Sequence, residues 1–159
     1  MHLLTPGLNL FDMIAELIRY SQTADQKIIE IFDQSDKQMP EAEKVFSHVL
    51  NAQHIWMKRI IYEHTSYFAW QIHDRKLFER IHLENFLLIV KIFKEVNPEE
   101  NIMYQNSLGL KYTCKVSDIF VHVVNHSTYH RGQIATLFKS AGIMPPVTDY
   151  IILKREGLI

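Results

Sequence analysis

The stretch Phe120-Val-His-Val-Val-Asn-His-Ser-Thr-Tyr-His-Arg-Gly-Gln-Ile134 sets three histidines four residues apart, at His122, His126 and His130. On an α-helix residues four apart stack along one face, with neighbouring Cβ atoms about 6 Å apart. Two imidazoles so placed can grip one metal ion. Measured from His126 at 100° per residue, His130 lies about 40° away, in the arc that also holds Ile119, Val123, Ile134 and Leu137. His122 falls about 40° to the other side, on the flank of that arc. Gln133 points inward as well, whereas Arg131 and Gly132 point elsewhere.

Burying a neutral imidazole without a partner costs about 1–3 kcal/mol, so two on one apolar face call for something to bind. A metal ion answers that need and requires another ligand from another helix. In Phe46-Ser-His-Val-Leu-Asn-Ala-Gln-His-Ile-Trp56 two histidines compete. His48 shares its side with Val45, Ala52 and Ile55, and the small Ala52 leaves room for the ring. His54 lies about 120° around, with Lys58 on the polar side. His48 is therefore the expected inward ligand, with Asn51 in reach of the same site, and His54 is read as a solvated surface residue.

The rest of the chain is punctuated by only five glycines and five prolines, which suits long helices. Helical spacing of Leu10, Met13, Ile14, Leu17, Ile18, Ile28, Ile31 and Phe32 predicts a first helix over about Leu8 to Phe32. After the polar connector Gln34 to Pro40, the proline suits the first turn of a second helix, predicted to reach about Tyr62. Glu63 to Lys76 reads as a long loop over one end of a bundle. A third helix fits Leu77 to Val96, before Asn97-Pro98. Alternation of Ile102 and Tyr104, then Leu110, Tyr112 and Cys114, around Asn-Ser-Leu-Gly predicts a small β-hairpin. Ser117 is the expected cap of the fourth helix, with Asp118 in its first turn. Gly142 and then Pro145-Pro146 end that helix. The expected fold class is all-α: one domain over residues 1–159, a four-helix bundle with a hairpin before its last long helix.

Composition narrows function. A net charge of −1 gives no basic field for nucleic acid or anionic lipid. No apolar run approaches the roughly 20 residues of a membrane span. Met1-His-Leu-Leu-Thr-Pro-Gly7 lacks the basic flank and apolar stretch of a signal peptide, so a cytoplasmic location is expected. Cys114 is the single cysteine, which excludes an internal disulfide and a cysteine-based zinc ribbon. It is expected to pack near the hairpin.

Other familiar patterns fail. A zincin would carry Glu after the first histidine, where Ser127 stands, and a di-iron bundle needs two Glu-x-x-His copies, of which only Glu79…His82 fits. Ser127 has no nucleophile-elbow context. His2, His64, His73 and His82 have no partner at ligand spacing and default to surface positions or local hydrogen bonds. Tyr62, Tyr67, Phe68 and Trp70 are read as loop anchors on a bundle end, with a pocket mouth as the alternative.

His122-Val-Val-Asn-His-Ser-Thr-Tyr-His-Arg-Gly-Gln133 resembles the signature helix of the DinB/YfiT-like bacterial metalloproteins. Tyr104 to Tyr112 resembles that family's hairpin, Pro145-Pro-Val-Thr-Asp-Tyr150 its tail, and the spacing of His48, Asn51-Ala, Trp56 and Arg59 its second helix. The resemblance covers nearly the whole chain. It implies a four-helix bundle, often dimeric, that holds a divalent metal between His48, His126 and His130, with His122 a neighbour of the site. Gln53 departs from the pattern, since relatives often place an acidic residue there.

The family's name derives from DNA-damage inducibility and implies no polymerase activity. Characterised members include transferases and isomerases that use low-molecular-weight thiols. Three histidines leave coordination positions open, which is the layout of a catalytic metal site. The expectation is a metal-dependent enzyme acting on a small molecule, a thiol-dependent S-transferase ahead of a hydrolase, with Asn51, Gln133 or Arg131 orienting substrate. Zinc, nickel, copper or iron all suit imidazole ligands. The alternative is a non-catalytic metal-binding or interaction protein of the stress response, in which the ion joins two helices.

Overall fold

The computed structural model of the chain describes residues 9–106 and 108–159. His2, the Met1–Gly7 stretch and the proposed helix start at Leu8 lie outside them. The elements in order are α1 (Leu10–Gln34), α2 (Pro40–Ile60), α3 (Phe78–Glu95), β1 (Asn101–Gln105), β2 (Lys111–Lys115), α4 (Val116–Ser140) and α5 (Tyr150–Arg155). The four long helices and the hairpin match the expected architecture.

Local chemistry accounts for most of the boundaries. The Asn9 side chain accepts the Asp12 backbone N–H at 2.9 Å and so caps α1. Pro40 opens α2, with Glu41 and Glu43 in the first turn and Lys58 and Arg59 in the last, matching the helix dipole at both ends. Just past α2, Tyr62 takes a positive φ of 55° and turns the chain away from the helix axis. At the end of α4, Gly142 (φ 70°) donates to the Lys139 carbonyl and Ile143 to that of Phe138, the paired bonds of a Schellman cap.

Two boundary expectations change. Ser117 is not the cap of α4. Strand β2 runs straight into the helix at buried Val116, and Ser117 lies inside the first turn, donating its N–H to the Pro98 carbonyl. The short α5 is an element that the sequence pattern does not announce. It seats Leu153 against Tyr20, Ala24 and Val124, and Tyr20 Oη donates to the Thr148 carbonyl at 3.0 Å. A six-residue helix carries too little periodicity to be read from spacing.

In the hairpin, Ile102 faces Cys114 and Tyr104 faces Tyr112. Ile102 is buried and Cys114 half-buried, while Leu110 and Tyr112 stay exposed. Alternation thus marked the strands, although the outer half of β2 stays at the surface, where Tyr112 stacks on Tyr104.

The four long helices pack around two large apolar clusters, with a smaller third one under α5. At one end Phe32 meets Phe46, Phe78 and Phe138 with ring centroids 5.2–5.7 Å apart. At the other, Ile14, Met57, Ile89 and Phe120 share a second cluster. These partners fix the directions. Phe46 and Phe78 meet near the starts of α2 and α3, and Met57 and Ile89 nearer their ends, so α2 and α3 run parallel.

Parallel neighbours need a connection that returns along the bundle's length. Residues 61–77 make it, running along the side of α2 and not merely over one end. Ser47 Oγ accepts the His73 N–H at 3.1 Å, and the Asn51 side chain donates to the Gln71 carbonyl at 2.7 Å. This returning segment is what completes the site.

Candidate metal centre

The structure brings His48, His126 and His130 together. One ligand atom from each lies within 4.8 Å of the others. His126 Nε2 is 3.1 Å from His48 Nε2 and 3.1 Å from His130 Nε2. In tetrahedral zinc sites, with Zn–N near 2.0–2.1 Å, neighbouring nitrogens stand about 3.3 Å apart. The two separations from His126 are therefore close to the spacing that one ion would impose. Helix phase accounts for it: α2 and α4 pack antiparallel and meet where these three positions fall.

The tautomers sharpen the case. His48 Nδ1 lies 2.7 Å from the Ala69 carbonyl oxygen, and His130 Nδ1 lies 2.7 Å from Gln133 Oε1. A carbonyl oxygen only accepts, so both Nδ1 atoms carry the proton and both Nε2 atoms present a lone pair. These lone pairs converge on His126 Nε2, which can donate to only one of them. At least one pair of nitrogens is thus left in contact with no proton between them. A cation between them resolves the conflict.

A proton serves that purpose poorly. Burial, reinforced by the charges of His130, His48 and His122, pushes His126 down to about 3. Burial also lowers His48, against the opposing effect of the Ala69 carbonyl. Neutral imidazoles are the form that binds a metal, and the oriented Nδ1–H bonds are how proteins fix the ligating tautomer. Three imidazole donors, with His48 and His126 only half-buried, suit a divalent ion reachable from solvent.

The surroundings divide into a lid, a flank and a buried foundation. Trp70 stacks flat on His48, centroids 3.8 Å apart at 6°, so one of the expected loop anchors covers a candidate ligand. Asn51 is fully buried and does not face the cluster. Its Oδ1 lies 2.6 Å from His73 Nε2, and its amide nitrogen holds the loop that presents Ala69. Gln133 is exposed and not inward, yet it reaches back to orient His130.

His122 is exposed and flanks the cluster, 5.6 Å from His126 by ring centroids. His54, read as solvated, is half-buried: its Nε2 accepts the Ser66 N–H at 3.2 Å and its ring packs on Tyr67. His73 and His82 are buried, not at the surface, and His82 Nδ1 has no hydrogen-bond partner.

Arg131 departs furthest from expectation. It is 2% exposed and pairs at 2.6 Å with Asp25, itself fully buried, so it is not available to orient a substrate. Arg131 also donates to Ser21 and Thr128. Gln53 donates to Asp25 Oδ2 at 2.7 Å and to Ser127 Oγ at 3.2 Å, and Asn85 donates to the Leu50 carbonyl. Helix α4 faces α1 as well as α2, so the arc that buries side chains is wider than the apolar stripe suggested. Gln53 thus occupies a polar layer behind the histidines, between the two apolar clusters.

Comparison with known proteins bears on this arrangement. The family model for the DinB family matches residues 16–156, which takes in most of α1, the other three long helices, the hairpin and every residue of the cluster. The chain belongs to the DinB family. A relative, Protein DinB of Bacillus subtilis (strain 168), is 37% identical over 67 residues. That match covers 42% of this chain and 38% of the relative. Family membership and the three-histidine cluster together fit a metal-binding protein. No helix among the described residues is long and apolar enough to cross a membrane.

Proposed function

We propose that this DinB-family chain is a metal-dependent enzyme in which His48, His126 and His130 hold one divalent ion, and that it transfers a small thiol to an electrophile. The observation that carries the reading is the convergence of two fixed Nε2 lone pairs on His126 Nε2, each 3.1 Å away. All-nitrogen donors suit zinc, nickel or iron. The ion, when bound, supplies a Lewis acid that favours the thiolate form of a thiol, the nucleophilic species.

The chain's own residues do the rest. Ala69 and Gln133 hold two rings in the ligating tautomer, and Trp70 fixes the plane of His48. Among the described residues three side chains converge, and a three-ligand site with coordination left open for substrate is the layout that supports a catalytic reading. Carboxylates are absent from the cluster among the described residues, so a divalent ion there keeps its full positive charge and favours an anionic ligand such as a thiolate.

The test is turnover of zinc-, nickel- and iron-loaded protein with a panel of low-molecular-weight thiols and alkyl or epoxide electrophiles. Metal-dependent consumption of a thiol, abolished in His126→Ala, supports the transferase. Tight metal binding with no turnover across the panel favours a non-catalytic metal-binding role.

A further inference from the structure

Beside the histidine cluster lies a second feature that the metal does not explain. Arg59, one turn after Trp56 on α2, holds its guanidinium carbon 4.4 Å from the centroid of Trp56 and 4.9 Å from that of Tyr104. Its Nη2 donates to the Gln105 carbonyl at 3.3 Å. The side chain is half-buried, and burial lowers its affinity for a proton. Among the described residues no carboxylate forms an ion pair with it.

Arg131 shows the contrast, because its buried guanidinium is paired with Asp25. A guanidinium has five N–H donors in a fixed fork that matches a carboxylate or phosphate. Among the described residues Arg59 uses one of them, on a backbone carbonyl, which leaves the others for an anion. Two aromatic rings hold the fork in place, which lowers the entropy lost when an anion binds.

The position is as telling as the chemistry. Trp56 packs edge-on against His122, centroids 5.0 Å apart, and His122 neighbours His126. Arg59 thus stands at the far end of a continuous row from the cluster, through His122 and Trp56. On α2 it follows His48 by about three turns, roughly 16 Å of helix rise. Among the described residues no carboxylate joins the cluster or forms an ion pair with Arg59, so neither end of the row holds a paired carboxylate that competes with an anion.

We propose that Arg59 is a specificity-determining residue that binds a carboxylate or phosphate at the distal end of an extended substrate whose other end reaches the histidine cluster. This rests on the proposed metal-bound thiol for the near end only. The substrate class is accordingly a small acid carrying a thiol, with the two groups separated by a spacer. His122, exposed between them, contacts the spacer.

The experiment uses cobalt(II)-loaded protein and ω-mercaptocarboxylic acids, ω-mercaptophosphonates and ω-mercaptoalcohols of matched, graded chain length, with binding read from the thiolate-to-cobalt absorption. Longer acids are expected to bind at least tenfold tighter than the matched alcohols, about what one charge-assisted pair supplies. The carboxylate and phosphonate series distinguish the two acid groups. Arg59→Met removes the preference and leaves alcohol affinity unchanged, while Arg59→Lys keeps part of it. Equal affinities of acids and alcohols at every length, or a preference that survives Arg59→Met, overturn the proposal.

Metal-free protein separates this inference from the metal reading. Propionate and methylphosphonate are titrated while the Arg59 Nε–H resonance is followed by NMR. A saturable shift supports the anion site even if cobalt fails to bind, in which case the metal reading alone falls. No saturable shift with either anion sinks the Arg59 proposal whatever the metal does.

Discussion

His48 Nε2 and His126 Nε2 lie 3.1 Å apart across 78 positions of sequence, one on α2 and the other on α4. Both rings are half-buried, and neither nitrogen has a carboxylate beside it among the described residues. The cluster is held by partners behind it, and each of those partners yields an expectation.

Gln133 acts on the cluster through His130 Nδ1, at 2.7 Å. Removing a group that orients a ligating histidine lowers metal affinity about 10- to 100-fold. Gln133→Ala is expected to show that loss in competition with a chromogenic chelator, with little change in thermal stability because Gln133 is exposed. An unchanged affinity would mean the tautomer is set by something else.

Asp25 and Arg131 form a buried ion pair at 2.6 Å. Breaking such a pair from one side strands a buried charge and costs about 3–5 kcal/mol. Asp25→Ala is expected to lower the urea midpoint by a corresponding amount. Asp25→Ala combined with Arg131→Met is expected to recover part of the loss. If the double variant is less stable than the single one by the full value of a second lesion, the two residues act independently.

Asn51 fastens the loop that carries Ala69 and Trp70, through the Gln71 carbonyl and His73. Asn51→Leu leaves those buried groups unpaired, at about 1–3 kcal/mol. Proteolysis within residues 61–77 is expected to accelerate, and metal affinity to fall because His48 loses its carbonyl partner. Limited proteolysis and metal titration of the same variant check both outcomes.

These dependences also show what the sequence could reveal. The fourth helix was legible because 100° per residue places His126 and His130 among Ile119, Val123, Ile134 and Leu137. His48 was legible by the same rule on α2. Periodicity could not show that Arg131 is buried, because a bundle helix facing two neighbours buries residues outside its apolar stripe, and Asp25 lies 106 positions away. Nor could it show Trp70 on His48, since that contact depends on a loop returning between parallel helices. The hairpin and the Schellman cap at Gly142 were readable because turn chemistry is local.

Acid is expected to weaken the metal-free fold. His126 is lowered from 6.5 to about 3, and His48 and His82 are lowered by burial. Between those limits the unfolded chain binds more protons than the native one, so stability rises with pH there. It is fully present above about 6.5 and is lost progressively as pH falls toward 3. Urea midpoints measured from pH 7 downward are expected to decline across that window. Bound metal adds to the slope, because protons compete for the same nitrogens. A flat profile over the window would contradict the burial of neutral histidines.

Metal content and coordination test the central claim most directly. Purified protein is loaded with zinc, dialysed and analysed for metal by mass spectrometry and for its ligands by X-ray absorption, alongside His48→Ala, His126→Ala, His130→Ala and His122→Ala. The account predicts one zinc per chain with about three imidazole nitrogens near 2.0–2.1 Å. It predicts sharp loss of bound metal in the first three variants and retention in His122→Ala. Unchanged stoichiometry in His48→Ala, His126→Ala and His130→Ala, or a site ligated by other residues, would contradict it.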